Sequence, residues 1–250
     1  MSCVYLIVFF LGLIMGSFLA LCITRIPQNQ SILFPPSHCE KCNASLKPCE
    51  LIPVLSWLFL KGKCRYCQSP IPMENTLVEI LTGILFMAAV YFLGLSYQLL
   101  PYLGLICVLI VISFIDYKHY LIPDSVLLVG LSIGLVINVF YPFINWVNGA
   151  IGILAGGGLL YFLAVVSKGG MGGGDIKLAA LLGFYLGWRK ILLALFVATF
   201  LATIAGGFLI LTKQKSLKDY IPFGPFLSIG TTLIIFLGDQ FLIWYLTIII

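Results

Sequence analysis

Apolar runs of membrane-crossing length recur along this chain, and they restrict its fold more than any motif does. Of 250 residues, 61% are hydrophobic and only 9% charged, a balance foreign to soluble globular domains of this size. Runs of about 17–25 apolar residues read as transmembrane helices. The pattern predicts eight, over about 4–23, 77–97, 99–115, 125–141, 146–166, 176–188, 191–212 and 226–249. The expected fold class is an all-α polytopic membrane protein. The run from Val4 to Ile23 has no basic stretch before it and no small-residue cleavage site after it. It reads as a retained span. The run at 176–188 is short for an upright crossing of an ordinary bilayer.

Charge placement orients these spans. With the N-terminus outside, the inner connections collect Arg25, Lys41, Lys47, Lys61, Lys63, Arg65, Lys118, Lys168, Lys177, Lys213, Lys215 and Lys218. Only Arg189 and Lys190 remain outside, an asymmetry that marks the inner side as cytoplasmic.

The one long polar segment, Thr24 to Asn75, is too long for a structureless loop and predicts a small folded module. It carries Cys39-x-x-Cys42 and Cys64-x-x-Cys67 with 21 residues between the pairs. Two such turns offer four thiolates to one tetrahedral Zn²⁺, and a module this small needs a staple in place of a core. Two disulfides are the competing reading, which a reducing cytoplasmic loop disfavours. A closed four-cysteine site is structural by default. Cys49, Cys3, Cys22 and Cys107 read as bystanders, and His38 as a neighbour of the site. The domain expectation is residues 1–75 for the first span plus module, and 76–250 for seven further helices.

Within the spans, Gly12, Gly16 and Ser17 predict close helix packing, as does Gly156-Gly157-Gly158. Two acidic motifs sit at the cytoplasmic ends of spans. One runs Asp116-Tyr117-Lys118-His119-Tyr120-Leu121-Ile122-Pro123-Asp124; the other is Gly169-Gly170-Met171-Gly172-Gly173-Gly174-Asp175. Asp124 reads as an N-cap opening an apolar run. Lys118 and His119 read as loop residues near head groups. Asp116, at a helix C-terminus, has no such explanation, because the dipole there disfavours its charge. Asp175 reads either as a cap or as a reagent. The glycine loop is not a phosphate cradle, since no Gly-Lys-Ser/Thr follows. A down-and-back helix pair separates Asp116 from Asp175, so the two are expected to meet. Two carboxyls in one site share a proton, which equips them for amide hydrolysis without a covalent intermediate. The dipole picture makes Asp175 the ionised member and Asp116 the protonated one. Glu79, near the start of its span, reads as a charge favouring a helix N-terminus or facing a polar cavity. Pro222-Phe223-Gly224-Pro225-Phe226 predicts a re-entrant or broken helix start beside both motifs.

Together these residues resemble the type IV prepilin peptidase family of membrane aspartic proteases. The match runs through Gly16-Ser17-Phe18-Leu19 with Arg25-Ile26-Pro27, Pro35-Pro36-Ser37-x-Cys39-x-x-Cys42, and Glu50 to Trp57. It continues through Gly62-Lys63-Cys64-Arg65-Tyr66-Cys67, Leu77-Val78-Glu79, Ile115-Asp116 to Asp124, Gly170 to Asp175, and Pro222 to Phe226. The resemblance implies that Asp116 and Asp175 are a catalytic pair at the cytoplasmic face of a bacterial inner membrane. It further implies that prepilin-like precursors with short basic leaders are the substrates, and that S-adenosylmethionine is the donor for N-methylation of the new terminus. Membrane lipid is a further partner; nucleic acid is not expected. Two positions depart from the family: Ala20 stands where asparagine is usual, and Glu74-Asn75-Thr76 where Arg-Tyr-Pro commonly precedes Leu-Val-Glu. Both fall in the half associated with methyl transfer, so a peptidase without methyltransferase activity is one alternative. An ion-coupled transporter and a non-catalytic assembly factor are alternatives of other classes.

Overall fold

A computed structural model describes residues 2–39, 41–167, 170–214 and 220–249. Lys168, Gly169, Lys215 and Lys218, which entered the charge pattern and the glycine loop, lie outside these. The described residues are almost entirely helical and include no strand. They divide into two compact units, Met1–Gly94 and Leu95–Ile250. The division falls one helix later than the boundary read at residue 75, because the helix after the polar module packs back on the first span.

In the first unit, α1 (Ser2–Arg25) and α3 (Met73–Leu93) are the long helices. Gly12 and Gly16, one turn apart on α1, permit their contact. A Cβ at Gly12 would lie 2.7 Å from Gly83 Cα, and one at Gly16 2.6 Å from Glu79 Cα. Such distances exclude any side chain and bring backbone against backbone, as the small-residue spacing predicts. The polar segment between these helices holds a 3-10 turn at Pro48–Glu50, the short α2 (Leu55–Phe59), and two isolated bridges, His38 with Ser45 and Lys63 with Pro70. It is the folded module expected from its length.

The second unit contains α4 (Leu99–His119), α5 (Asp124–Phe140), α6 (Trp146–Val166), α7 (Gly173–Leu211) and α8 (Gly224–Ile249). The 39-residue α7 is not straight. Gly187 has φ +72° and ψ 171°, and Ala179 and Ile191 on either side of it both lie against Gly156 of α6. Those two residues would be ~18 Å apart along a continuous helix. The element therefore doubles back at Gly187, and the expected spans at 176–188 and 191–212 are its two arms. The asparagines of the neighbouring turns serve the backbone. Asn138 Oδ1 accepts from the N–H groups of Phe143 and Ile144 at 3.1 Å, and Asn145 Oδ1 caps α6 through Val147 N–H at 2.9 Å.

Helices α1, α3, α4, α6 and α7 are each long and apolar enough to cross a membrane, so the chain is a multi-pass membrane protein. Gly152 and Gly183 fix the α6–α7 contact: a Cβ on either would fall on the other's carbonyl oxygen. A Cβ at Gly158 meets nothing within 4 Å. Gly152→Ala and Gly183→Ala should each destabilise the fold by about 1–3 kcal/mol through overpacking. Gly158→Ala should be neutral or slightly stabilising, since alanine is the better helix former. Thermal unfolding in detergent would check this, and equal midpoints for all three variants would refute the packing account.

Candidate functional site

Helix α4 runs past the expected end at residue 115 to His119, where Tyr120 closes it in the left-handed region and donates its N–H to the Asp116 carbonyl at 2.9 Å. Asp116 therefore sits inside the last turn, 5% exposed. Lys118 and His119 belong to that turn and not to a loop. The Asp116 carboxylate is met by the start of another helix: Oδ2 accepts the Gly224 N–H of α8 at 2.9 Å. A Cβ at residue 224 would lie 2.7 Å from that oxygen, so only glycine admits the approach. The Pro222–Phe226 stretch thus contains the start of α8, which lies beside the acid as expected.

Asp175 is the third residue of α7, half-buried, and its Oδ1 is buried with no hydrogen-bond partner. It lies within electrostatic reach of Asp116. The glycines before it have an identifiable use. A Cβ at Gly174 would lie 2.8 Å from Ile122 Cβ, so the bare backbone lets α7 begin directly against the α4–α5 connection. Three segments, around Asp116–Asp124, Gly170–Lys177 and Ile221–Gly224, converge on one pair of carboxyls.

Asp124 is not an N-cap. It is the first residue of α5, makes no capping bond, and accepts from Lys177 Nζ through both oxygens at 2.7 and 2.8 Å. The sequence pattern could not show this partner, because the two residues are 53 positions apart.

In the first unit, Cys39, Cys42, Cys64 and Cys67 have all four sulfurs within 4.8 Å of one another. The two halves of the cluster repeat one turn. Asn43 N–H donates to the Cys39 carbonyl at 2.8 Å and Gln68 N–H to the Cys64 carbonyl at 3.0 Å, with φ +55° and +57° at the two donors. Backbone N–H groups of Cys42 and Lys41 hold the Cys39 thiol down to about 6, and Ser69 lowers Cys67. Four sulfurs this close, thiolates being the metal-binding form, make a donor set that fits a single ion. Cys49 and His38 stand outside the cluster; His38 Nδ1 is 2.9 Å from the Pro36 carbonyl oxygen.

Glu79 has a place that sequence reasoning missed. It is buried, lies beyond the first turn of α3, and its Oε2 accepts the Val54 N–H at 2.7 Å. Val54 has φ +62°, unusual for a β-branched residue. Glu79 thus lies inside the helix, beyond its terminal turn, and it fastens the module to α3. Glu50 is likewise occupied, accepting the Lys47 N–H at 2.9 Å with Arg65 at 3.6 Å.

Residues 10–93 match the Bacterial Peptidase A24 N-terminal domain, and residues 103–207 the Type IV leader peptidase family. The chain is similar to the prepilin leader peptidase/N-methyltransferase of Bacillus subtilis, with 36% identity over 96% of this chain and 97% of the relative. It is 34% identical to that of Aeromonas hydrophila over 96% and 93%, and 32% identical to that of Pseudomonas putida over 92% and 89%. No solved structure matches the chain.

Replacing any one cluster cysteine by serine should lower the metal content of the purified protein well below that of the wild type, whereas Cys49→Ser should leave it unchanged. Elemental analysis would check this. Because protons compete with metal for the sulfurs, retention should fall as the pH is lowered from neutral.

Proposed function

The chain belongs to the type IV leader peptidase family, and from that premise we propose that it cleaves the leader from prepilin-like precursors with Asp116 and Asp175 as its catalytic pair. The single observation that carries this reading is the convergence of the two carboxyls, one buried and one half-buried, where three segments of the second unit meet. Like charges this close do not both ionise readily, so the pair holds one proton between them. The ionised carboxylate takes a proton from water as the water oxygen bonds to the scissile carbonyl carbon. The protonated partner gives its proton to the carbonyl oxygen. Collapse of the resulting gem-diol breaks the C–N bond as the proton taken from water passes to the leaving amine and one diol hydroxyl returns its proton to the other carboxylate, which restores the shared proton.

The expectation of different roles for the two acids rested on Asp175 lying at a helix N-terminus and Asp116 at a helix C-terminus, where the dipole disfavours its charge. The Gly224 N–H aimed at Asp116 offsets that dipole, while Asp175 lies at the N-terminus of its own helix. Both acids thus have a helix start favouring their charge, and the proposed division of roles loses its basis. We treat them as one titrating unit.

The relatives' names support N-methylation of the new terminus as a second activity, with S-adenosylmethionine as donor. No cradle for that donor is identifiable among the described residues, so no residue is assigned to it. The cysteine cluster fits Zn²⁺ in a structural role: four thiolates in a reducing compartment, at a site closed to further ligands. The charge pattern supports a position for the aspartates at the cytoplasmic face of the inner membrane, where a basic leader and an apolar stem part company.

Incubation with a precursor peptide and S-adenosylmethionine, read by product mass, tests both activities. Asp116→Asn and Asp175→Asn should each lower cleavage at least about a hundredfold, and Gly224→Ala should lower it by displacing Asp116. A one-methyl gain on the cleaved product would support the second activity. Cleavage without it would favour the peptidase-only reading, to which Ala20 and Glu74–Thr76 point. Cleavage surviving both asparagine variants would overturn the assignment.

A further inference from the structure

We propose that Asp124 and Lys177 form a positioning pair that holds the start of α7, and with it Asp175, in the arrangement the aspartate centre needs; this rests on the peptidase reading above. The two aspartates are held very differently. Asp116 belongs to a long helix and receives a backbone N–H through its side chain. Asp175 stands on the first turn of α7, whose N-cap is Gly172, a residue with no side chain to cap with. Apart from the Asp175 carboxyl itself, which meets the Gly172 N–H, this start has no capping side chain, and tertiary ties add to its hold.

Two such ties bracket Asp175 in sequence. One residue before it, Gly174 lies against Ile122. Two residues after it, Lys177 Nζ donates to both oxygens of Asp124. Ile122 and Asp124 belong to the same short connection between α4 and α5, and α4 carries Asp116 in its last turn. The pair therefore links the helix start bearing one acid to the segment that directly follows the other.

Neither residue is a catalytic group, because each oxygen of Asp124 is engaged by the lysine. The side chains are 58% and 63% exposed, and exposed pairs contribute little to global stability. A charge-assisted, two-oxygen contact can still shift a local open–closed equilibrium by about fivefold. That scale separates this role from loss of either aspartate: the reaction should slow, not stop.

The test compares wild type, Asp124→Asn, Lys177→Met and the exchanged pair Asp124→Lys with Lys177→Asp. Two quantities are read: kcat and KM on a precursor peptide, and amide hydrogen exchange across residues 173–177 without substrate. Each single variant should lower kcat about three- to tenfold, with KM within about twofold, and quicken exchange about fivefold. The exchanged pair should recover most of both. A raised KM at unchanged kcat would assign the residues to substrate binding and overturn the proposal, as would single variants with wild-type exchange. Should the wild type fail to cleave, the peptidase reading falls by itself, and the exchange rates still decide the pair.

Discussion

Backbone-to-backbone approach of helices is the constraint on which the rest of this structure depends. In a bilayer, apolar side chains gain nothing by leaving lipid for protein, so helices associate by close packing and by polar contacts. The chain meets this with glycines at matched heights: Gly12 and Gly16 on α1 against α3 in the first unit, and Gly152 and Gly156 on α6 against Gly183 and Ala179 in the second. The second contact has a consequence at some distance. With the first arm of α7 seated on α6 and the chain reversing at Gly187, the opposite end of that arm, which bears Asp175, falls where α4 ends.

Glycine serves a different purpose at that end. Gly174 and Gly224 are not in helix interiors, and the close approach each allows is to Ile122 and to the Asp116 carboxylate. The site is built from helix ends: the C-terminal turn of α4 and the N-terminal turns of α7 and α8. This suits acids in an apolar surrounding. A helix start offers N–H groups that a helix middle has already used, and Gly224 gives one of them to Asp116. Asp175 Oδ1 keeps an unpartnered buried oxygen in a protein whose buried polar atoms are mostly satisfied. In the proposed chemistry that oxygen is where a water or a proton would be held.

Much of this was legible in the sequence, for identifiable reasons. Apolar run length located the long helices to within a few residues, including the turn at Gly187, where the run breaks at Trp188-Arg189-Lys190. The paired Cys-x-x-Cys turns located the four-cysteine cluster, since two such turns can bring four sulfurs together. Counting crossings made the meeting of Asp116 and Asp175 a reasonable expectation. What stayed hidden was of one kind: bonds between a carboxylate and a donor far away in the chain. Glu79 finds Val54, Asp124 finds Lys177, and Asp116 finds Gly224. Two of these donors are backbone N–H groups, which every residue but proline carries and which no motif can single out. The end of α4 was misjudged because Asp116 to His119 is polar, whereas a helix leaving an apolar layer continues while its carbonyls find donors.

That hidden class of bond also accounts for how a chain with so few charges uses them. With nine acidic residues in all, each is expensive where water is excluded, and several of those described here sit where helices begin or end. Glu79 secures the polar module, Asp124 secures the start of α7, and Asp116 receives the start of α8. Asp175 has no comparable tie on its Oδ1. An acid kept beside apolar packing without a full set of partners opposes stability, and structures retain such groups where they have work to do. The contrast between these three tethered carboxylates and the open Oδ1 of Asp175 supports the proposal that the chemistry lies at Asp175 and its neighbour.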